Sequence, residues 1–255
     1  MLSIHPFSKP LVQKLMHTNC TRFHIKNTDS TNTIAKHLAR KHELPLLVTT
    51  DYQTAGRGQR GNSWESAPQK NLLFSLAIST NLLAKQQFIL CEHISVVLCN
   101  VLSRYTDDIR IKWPNDIYWR DRKIAGILIE HDLEGNHLAR SIIGVGLNVN
   151  QTTLASKVPN PISLCQILGH EVEREKLLNT ICAEILTKIP TDKHNDLHNQ
   201  YTSLLYRLGH KAQYHDANGI FTAQIHHVNP DGRLYLEDEN GKLRNYLFKE
   251  VAYII

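Results

Sequence analysis

The residues best suited to chemistry lie in a glycine-rich segment, Gln53 to Trp64, in which arginines alternate with glycines. Glycine lets backbone N–H groups approach an anion closely, and Arg57 and Arg60 add forked positive donors. The segment therefore predicts a loop that binds an anionic ligand. A surface loop without a binding role is the plainer alternative.

The same segment contains the pattern G-x-G-x-x-G at Gly56, Gly58 and Gly61. A dinucleotide-binding fingerprint must open a helix directly after a strand. Here Asn62 to Pro68 is a poor helix opening, and Asn71 to Ser75 has the pattern of another strand. We therefore reject a Rossmann interpretation.

A second group of polar residues follows in Lys112-Trp-Pro-Asn-Asp116. Pro114 keeps the preceding residue extended, which places Lys112, Asn115 and Asp116 together at a strand edge. A lysine and a carboxylate at this spacing suit a phosphate with its magnesium ion. An exposed ion pair at a turn is the structural alternative.

A third group begins at Lys123, which opens an apolar strand where a cation is costly to bury without an anionic partner. Gly126 removes a side chain from one face of that strand. In Gly144-Val-Gly146-Leu-Asn148, alternate residues point the same way, so two glycines and an amide share one face. This pattern predicts a bare patch of sheet on which a ligand can lie.

The elements that position these groups alternate between strand and helix periodicity. Strands are predicted at Phe23–Asn27, Leu46–Thr50, Leu72–Ile78, Ile109–Lys112, Ile117–Trp119, Lys123–Glu130 and Leu138–Val149. Helices are predicted after the capping run Asp29-Ser-Thr31 and at Lys85–Tyr105, Ile162–Leu168, Glu173–Ile189 and Asn199–Leu208.

The pattern of predicted elements changes near Leu208, where short strands separated by Asn-Gly and Pro-Asp-Gly turns replace the helices. Five such strands predict a small β-barrel, and they are expected at Ala212–Tyr214, Phe221–Val228, Leu234–Leu236, Tyr246–Phe248 and Val251–Ile254. We therefore expect two domains, a larger one over residues 1–206 and the barrel over residues 207–255.

The composition sets outer limits on function. With 42% hydrophobic and 21% charged residues, the chain is globular rather than disordered, and a net charge of +5 is too small to argue for nucleic acid. No apolar run approaches the ~20 residues that span a bilayer, so no membrane partner is expected. An odd number of cysteines, five, without a C-x-x-C pair is typical of a cytoplasmic enzyme with reduced thiols.

Taken together, these motifs resemble those of the biotin protein ligases, also called biotin–[acetyl-CoA-carboxylase] ligases. The resemblance rests on five segments: Asp29-Ser-Thr-Asn32, Gln53 to Gly61, Lys112 to Asp116, Lys123 to Glu130 and Gly144 to Asn150. It implies an α+β fold, in which a class II synthetase-like, biotin–lipoate ligase catalytic domain with a mixed sheet and helices precedes a small SH3-like β-barrel.

The resemblance also implies a two-step reaction with ATP and biotin as substrates and Mg²⁺ as the metal. The biotin carboxylate attacks the α-phosphate of ATP, which releases pyrophosphate and forms biotinyl-5′-AMP. A specific lysine of a biotin carboxyl carrier domain, the expected partner, then attacks this mixed anhydride.

Matching positions imply roles for individual residues. The implied catalytic residues are Lys123, Arg57 and Lys112. The implied biotin-binding residues are Ser30, Thr31, Asn32, Gln53, Arg57, Gly58, Gln59, Lys123 and Gly126. The implied ATP-binding residues are Arg60, Trp64, Lys112, Asn115, Asp116 and Asn148, with Asp116 also the magnesium ligand.

One departure from the family pattern concerns the loop, whose common form is GRGRRGR. Gln59 and Asn62 replace two basic residues here, which leaves Arg57 and Arg60 as the cations of the loop. Ser30 and Thr31 remain open to two uses, since they are able both to cap a helix and to bind a ligand.

Some family members carry an N-terminal winged-helix domain of roughly 60 residues that reads DNA, but only about 20 residues precede the first predicted strand here. We therefore expect a ligase that is not a transcriptional repressor and has no DNA partner, either a monomer or a homodimer. Two alternatives remain: a lipoate or octanoyl ligase of the same architecture, and a non-enzymatic binding module.

Overall fold

The computed structural model describes residues 11–14, 19–154, 160–190 and 195–255. Their main sheet has eight strands in the order β1-β2-β3-β4-β8-β7-β6-β5. These strands are β1 (Leu11–Lys14), β2 (Thr21–Thr28), β3 (Leu46–Gln53), β4 (Leu72–Ile78), β5 (Ile109–Lys112), β6 (Asp116–Trp119), β7 (Arg122–Glu134) and β8 (His137–Leu147). The sheet is mixed, because β2 and β3 run parallel while the other neighbours run antiparallel.

Helices cover both faces of this sheet. They are α1 (Thr31–Leu38), α2 (Phe88–Leu102), α3 (Leu164–Leu168), α4 (Arg174–Thr187) and α5 (Asn195–Ser203). Helix α2 is buried on nearly every side because the sheet, α4 and α5 all pack against it. Helix α1 packs on the opposite face of the sheet, where Ala35 joins a small apolar cluster with Val48 and Ile142.

The alternation of side chains along β8 separates the core from the other face of the sheet. Ile143, Val145 and Leu147 are buried in the main core with α2. Because successive residues of a strand face opposite ways, Gly144 and Gly146 lie on the face that carries α1. The predicted glycine patch therefore faces away from the main core.

A second sheet of five antiparallel strands follows, in the order β12-β11-β10-β9-β13. Its strands are β9 (Ala212–Asp216), β10 (Gly219–Val228), β11 (Leu234–Asp238), β12 (Leu243–Tyr246) and β13 (Ala252–Tyr253). This antiparallel sheet after the mixed one fits the predicted α+β fold class. The boundary between residues 206 and 207 stays a prediction.

The two sheets are joined by specific contacts around the Lys112-to-Asp116 motif. The Trp113 indole N–H donates to the Gly232 carbonyl oxygen at 3.0 Å, and Phe248 packs edge-on against Trp113 at 5.3 Å between ring centroids. Tyr201 on α5 donates to the Pro114 carbonyl oxygen at 2.8 Å. The motif is therefore held by both the helical layer and the second sheet.

Most predicted elements are confirmed within a few residues. Strand β5 has the predicted bounds, and α2 begins at Phe88 rather than Lys85 because Ala84–Gln86 forms a separate 3-10 turn. Of the last two predicted strands, Tyr246 to Phe248 is displaced, since β12 covers Leu243–Tyr246. The strand predicted at Val251 to Ile254 is confirmed but shorter, since β13 covers only Ala252–Tyr253. No described helix is both long and apolar enough to cross a bilayer.

Candidate active site

A cavity of about 790 Å³ opens on the α1 face of the main sheet. It is lined by nearly all of the predicted site residues and by part of the second sheet. The predicted residues in its wall are Ser30, Thr31, Asn32, Gln53, Arg57, Gly58, Gln59, Trp64, Lys112, Asn115, Asp116, Lys123 and Gly126.

One end of the cavity is a fixed polar network. Thr31 donates to Gln53 Oε1 from its backbone nitrogen at 2.8 Å and from its hydroxyl at 3.1 Å. Ser75 Oγ lies 2.7 Å from Thr31 Oγ1 and 2.6 Å from Asn32 Oδ1. Asn32 Nδ2 donates to Glu130 Oε2 at 2.7 Å. These bonds fix the side-chain orientations, which suits recognition of a small polar group.

Ser30 occupies the N-cap position of α1 with extended backbone, but its side chain makes no capping hydrogen bond. Its backbone nitrogen instead donates to Asp29 Oδ1 at 2.6 Å. Of the two predicted uses of Ser30, side-chain capping is therefore absent, and its hydroxyl lies in the cavity wall.

The floor of the cavity is the glycine patch. A Cβ added at Gly144 would overlap Asn32 Oδ1 and lie 2.9 Å from Asn32 Cγ. A Cβ added at Gly146 would overlap the indole ring of Trp64, which rests directly on the floor. Trp64 Nε1 is buried without a hydrogen-bond partner among the described residues. Asn32 and Trp64 approach the backbone of β8 so closely that only glycine fits at positions 144 and 146. This is the close approach that glycines inside a strand predict.

The other end of the cavity is cationic. Lys123 Nζ lies 2.6 Å from Asp116 Oδ1 and 5.7 Å from the centre of the Trp64 ring. The side chains of Lys123 and Asp116 are 18% and 27% exposed, so the pair stays open to a ligand. Asp116 is therefore the anionic partner that the sequence required for Lys123.

Lys112 lies between two tyrosine rings, with its Nζ 5.2 Å from the ring centres of both Tyr118 and Tyr253. Burial lowers the pKa of Lys112, although the nearby Asp116 carboxylate opposes the shift. The aromatic faces favour the ammonium form. Tyr253 belongs to β13, so the second sheet supplies part of this end.

The glycine-rich segment folds as a short hairpin across the cavity mouth. Trp64 N donates to Gly56 O at 2.8 Å, and Gly58 N donates to Asn62 O at 2.6 Å. Gln59–Gly61 forms one 3-10 turn and opens no helix, which confirms that the G-x-G-x-x-G pattern is not a dinucleotide fingerprint. The side chain of Arg60 lies outside the described part of the chain, so its predicted contact with ATP stays a prediction.

The two predicted asparagines differ in position. Asn115 reaches the cavity wall while its amide donates to the Ile127 carbonyl oxygen. Asn148 does not line the cavity, and its amide donates to the Ile162 carbonyl oxygen at 3.2 Å. Since β8 ends at Leu147, the alternation that aligned Asn148 with the glycines stops one residue too early. Its predicted role with ATP stays untested.

Sequence reasoning missed several residues of the site. Ser75 was detectable as a hydroxyl inside the apolar strand β4, and Glu130 as the last residue of the Lys123 motif. Neither lines the cavity, but both are hydrogen-bonded to Asn32, which does. No local pattern marks the contribution of the second sheet, which consists of Lys249, Val251, Ala252 and Tyr253.

Residues 24–148 match the model of the biotin/lipoate A/B protein ligase family. Over these residues the chain is similar to that family. The matched range contains all three cavity motifs, while the wall formed by residues 249–253 lies beyond it.

Individual relatives give a similar result. The bifunctional ligase/repressor BirA of Escherichia coli is 34% identical over 142 residues, which cover 54% of this chain and 43% of that protein. The biotin–[acetyl-CoA-carboxylase] ligase of Paracoccus denitrificans is 27% identical over 236 residues, covering 86% and 95%. The match to the Escherichia coli relative thus spans less than half of that protein's length.

Solved structures of biotin protein ligases share the fold. The Aquifex aeolicus enzyme in complex with biotin and ATP has a TM-score of 0.73 at 24% identity, covering 91% of this chain and 97% of that one. The Helicobacter pylori biotin acetyl coenzyme A carboxylase synthetase has a TM-score of 0.60 at 21% identity, covering 88% and 99%. At these identities the likeness shows the fold alone.

Proposed function

We propose that this protein is an ATP-dependent ligase that activates biotin as biotinyl-5′-AMP and transfers the biotinyl group to a lysine of a biotin carboxyl carrier domain. The observation that carries the proposal is the cavity itself. A fixed polar network at one end and two lysines at the other are joined by a glycine floor. The match of residues 24–148 to the ligase family model and the relative in Paracoccus denitrificans support the same reaction.

The polar network suits the polar ring of biotin, with Ser30, Thr31, Asn32 and Gln53 as its predicted contacts. The flat apolar part of the ligand would lie beside the floor formed by Gly144 and Gly146, next to the Asn32 amide and the Trp64 ring that pack against these glycines. The biotin carboxylate would then point toward Lys123. This placement brings the carboxylate and the ATP α-phosphate to the same cationic end.

The first step joins two anions, so it needs positive charge that is already in place. A carboxylate oxygen forms a bond to the α-phosphorus while the bond to the β-phosphate oxygen breaks and pyrophosphate leaves. Lys123 and Lys112 are the predicted groups that offset the negative charge of this step. In the second step the acceptor lysine attacks the biotinyl carbonyl carbon, and AMP leaves. Exclusion of water by the hairpin would protect the mixed anhydride between the steps.

The residues fit a magnesium ion that arrives with the nucleotide. Mg²⁺ in such sites is held by one or two carboxylates together with substrate phosphates. Asp116 supplies a carboxylate at the cationic end, and the described residues hold no group of three or more His, Cys, Asp or Glu side chains that could bind a metal by themselves. The ion would add further positive charge at the phosphates.

The proposed first step is tested by ATP–pyrophosphate exchange with biotin, lipoate or octanoate as the acid. We expect exchange that depends on biotin and on Mg²⁺. Exchange with lipoate or octanoate alone would assign the chain to the other branch of its family. Exchange with none of the three acids would favour a non-enzymatic binding module.

The contact between Tyr253 and Lys112 gives a further prediction. Tyr253→Leu removes a ring that faces the Lys112 ammonium group, and such contacts contribute about 0.5–2 kcal/mol. We expect the apparent KM for ATP to rise roughly 2- to 30-fold, the ratio that this energy produces. Steady-state exchange assays over a range of ATP concentrations measure the change.

Two controls accompany this variant. Tyr253→Phe keeps the ring and should behave almost as the native protein does, because the Tyr253 hydroxyl has no partner among the described residues. Tyr235→Leu alters a tyrosine of the same sheet that stacks on His227 and does not line the cavity. An equal rise in KM for Tyr253→Phe and Tyr253→Leu would contradict a role for the aromatic face.

A further inference from the structure

Glu130, near the middle of β7, is the point at which the hairpin and the polar network meet. Arg57 donates to Glu130 from both terminal nitrogens, at 3.2 Å to Oε1 and 2.8 Å to Oε2. Asn32 Nδ2 donates to the same Oε2 at 2.7 Å. A single carboxylate therefore holds one side chain from the hairpin and one from the ligand-facing network.

The Arg57–Glu130 pair is the main side-chain contact between the sheet and the tip of the hairpin, residues 57–63. At the base of the segment, Thr54 and Ala55 are bonded through their backbone nitrogens to the carbonyl oxygens of residues 28 and 29. From residue 57 to residue 63 the backbone bonds connect the hairpin to itself. Among the described side chains, with that of Arg60 set aside, this ion pair links the tip to β7.

Asn32 depends on Glu130 for its orientation. Its Oδ1 faces Ser75 Oγ and its Nδ2 faces the Glu130 carboxylate, so both ends of the amide are held. Asn32 is also buried against Gly144, where no alternative position is open toward the floor. Loss of the acceptor at Glu130 would leave Nδ2 with only its longer bond to the Leu128 carbonyl oxygen, at 3.4 Å, so the amide would be held less firmly.

We propose that Glu130 is a positioning residue that latches the hairpin through Arg57 and orients Asn32, so that closure of the mouth and formation of the biotin-ring site are coupled. This inference rests on the proposed function for the identity of the ligand. The contacts of Glu130 with Arg57 and Asn32 that form the latch do not depend on that identity. The latch gives Arg57 a role through Glu130, because each terminal nitrogen of its guanidinium group directs one N–H at that carboxylate.

Bidentate geometry distinguishes the Arg57–Glu130 pair from an ordinary surface ion pair. The Arg57 and Glu130 side chains are 44% and 28% exposed, and isolated pairs at such exposure contribute little to stability. A bidentate arginine–carboxylate pair with a third hydrogen bond from Asn32 is stronger and better oriented. Its loss should therefore act locally, on the opening of the hairpin, rather than on global folding.

Hydrogen exchange in the ligand-free protein tests the latch. Glu130→Gln keeps the side-chain shape but removes the charge, and Arg57→Lys keeps the charge but removes the fork. For each variant we expect the amides of residues 54–64 to exchange about threefold to tenfold faster. The double variant should exchange no faster than the single ones, since all three break the same contact.

Glu175→Gln is the matched control. It breaks another bidentate pair, between Arg22 and Glu175, whose residues do not line the cavity. Exchange of residues 54–64 should stay unchanged in this variant. Unchanged exchange in Glu130→Gln as well would overturn the latch, whatever the activity of the protein.

Biotin binding tests the coupling. By titration calorimetry, Glu130→Gln should weaken biotin about tenfold, and in exchange assays it should raise the KM for biotin more than it lowers kcat. If Glu130→Gln exchanges faster but binds biotin with unchanged affinity, the proposed coupling between the latch and the biotin-ring site is overturned. Native protein that neither binds biotin nor catalyses exchange would instead refute the proposed function, and the hydrogen-exchange result would still decide the latch.

Discussion

Replacing Lys123 by alanine is expected to reduce biotin-dependent ATP–pyrophosphate exchange by roughly 100- to 1000-fold, the usual cost of losing one preorganised charge donor at a reacting group. The reason for this loss is the position of the Lys123 ammonium group in the cavity. Lys123 faces the cavity at its cationic end, and its Nζ is 2.6 Å from Asp116, next to the glycine floor. The loss should fall mainly on kcat, because the charge is needed most as the two anions react.

The Lys123→Ala protein should remain folded. Asp116 is 27% exposed, so water can solvate its carboxylate once the lysine is gone. Circular dichroism and the thermal midpoint check this point. Lys70→Ala is the matched control, since Lys70 forms an exposed pair with Glu171 and does not line the cavity. Near-normal turnover in a folded Lys123→Ala protein would remove Lys123 from its proposed role.

The second large effect is expected at the floor of the cavity. In Gly144→Ala, the new methyl group would overlap Asn32 Oδ1, and Asn32 is held on its other side by Glu130. Overpacking at a buried position costs about 1–3 kcal/mol. If that cost falls on the polar network, biotin should bind roughly 10- to 100-fold more weakly, as titration calorimetry would measure.

A double-mutant cycle separates this collision from a general loss of stability. In an Asn32→Ala background the space beside Gly144 is open, so Gly144→Ala should cost little further affinity. The two changes should therefore be strongly non-additive. Additive losses would show that Gly144 acts through something other than its contact with Asn32.

Three cavity motifs could be predicted from the sequence because each is a local pattern that is unusual for its position in a strand or turn. Glycines at alternate positions, a lysine at the start of an apolar strand, and a lysine and carboxylate around a proline each need an explanation at their own position. The structure brings Lys112, Asp116, Lys123 and Gly144 into one cavity, as the sequence analysis expected.

Contacts between distant segments could not be predicted in the same way. Tyr253 lies 141 positions after Lys112 in the chain, and its ring reaches the cavity only because the second sheet packs on the first. Ser75 and Glu130 stand out within their own strands, but their bonds to Asn32 join segments that lie 43 and 98 positions apart. Asn148 was aligned with the glycines by alternation, which fails once the strand ends at Leu147.

The measurement that tests the central claim most directly is transfer to a protein acceptor. A purified biotin carboxyl carrier domain would be incubated with this protein, ATP, Mg²⁺ and biotin, and its intact mass and modified residue would be read by mass spectrometry. We predict one added biotinyl group on a single lysine, dependent on ATP and absent with Lys123→Ala. An unmodified carrier domain, or one that accepts lipoate or octanoate but not biotin, would contradict the account.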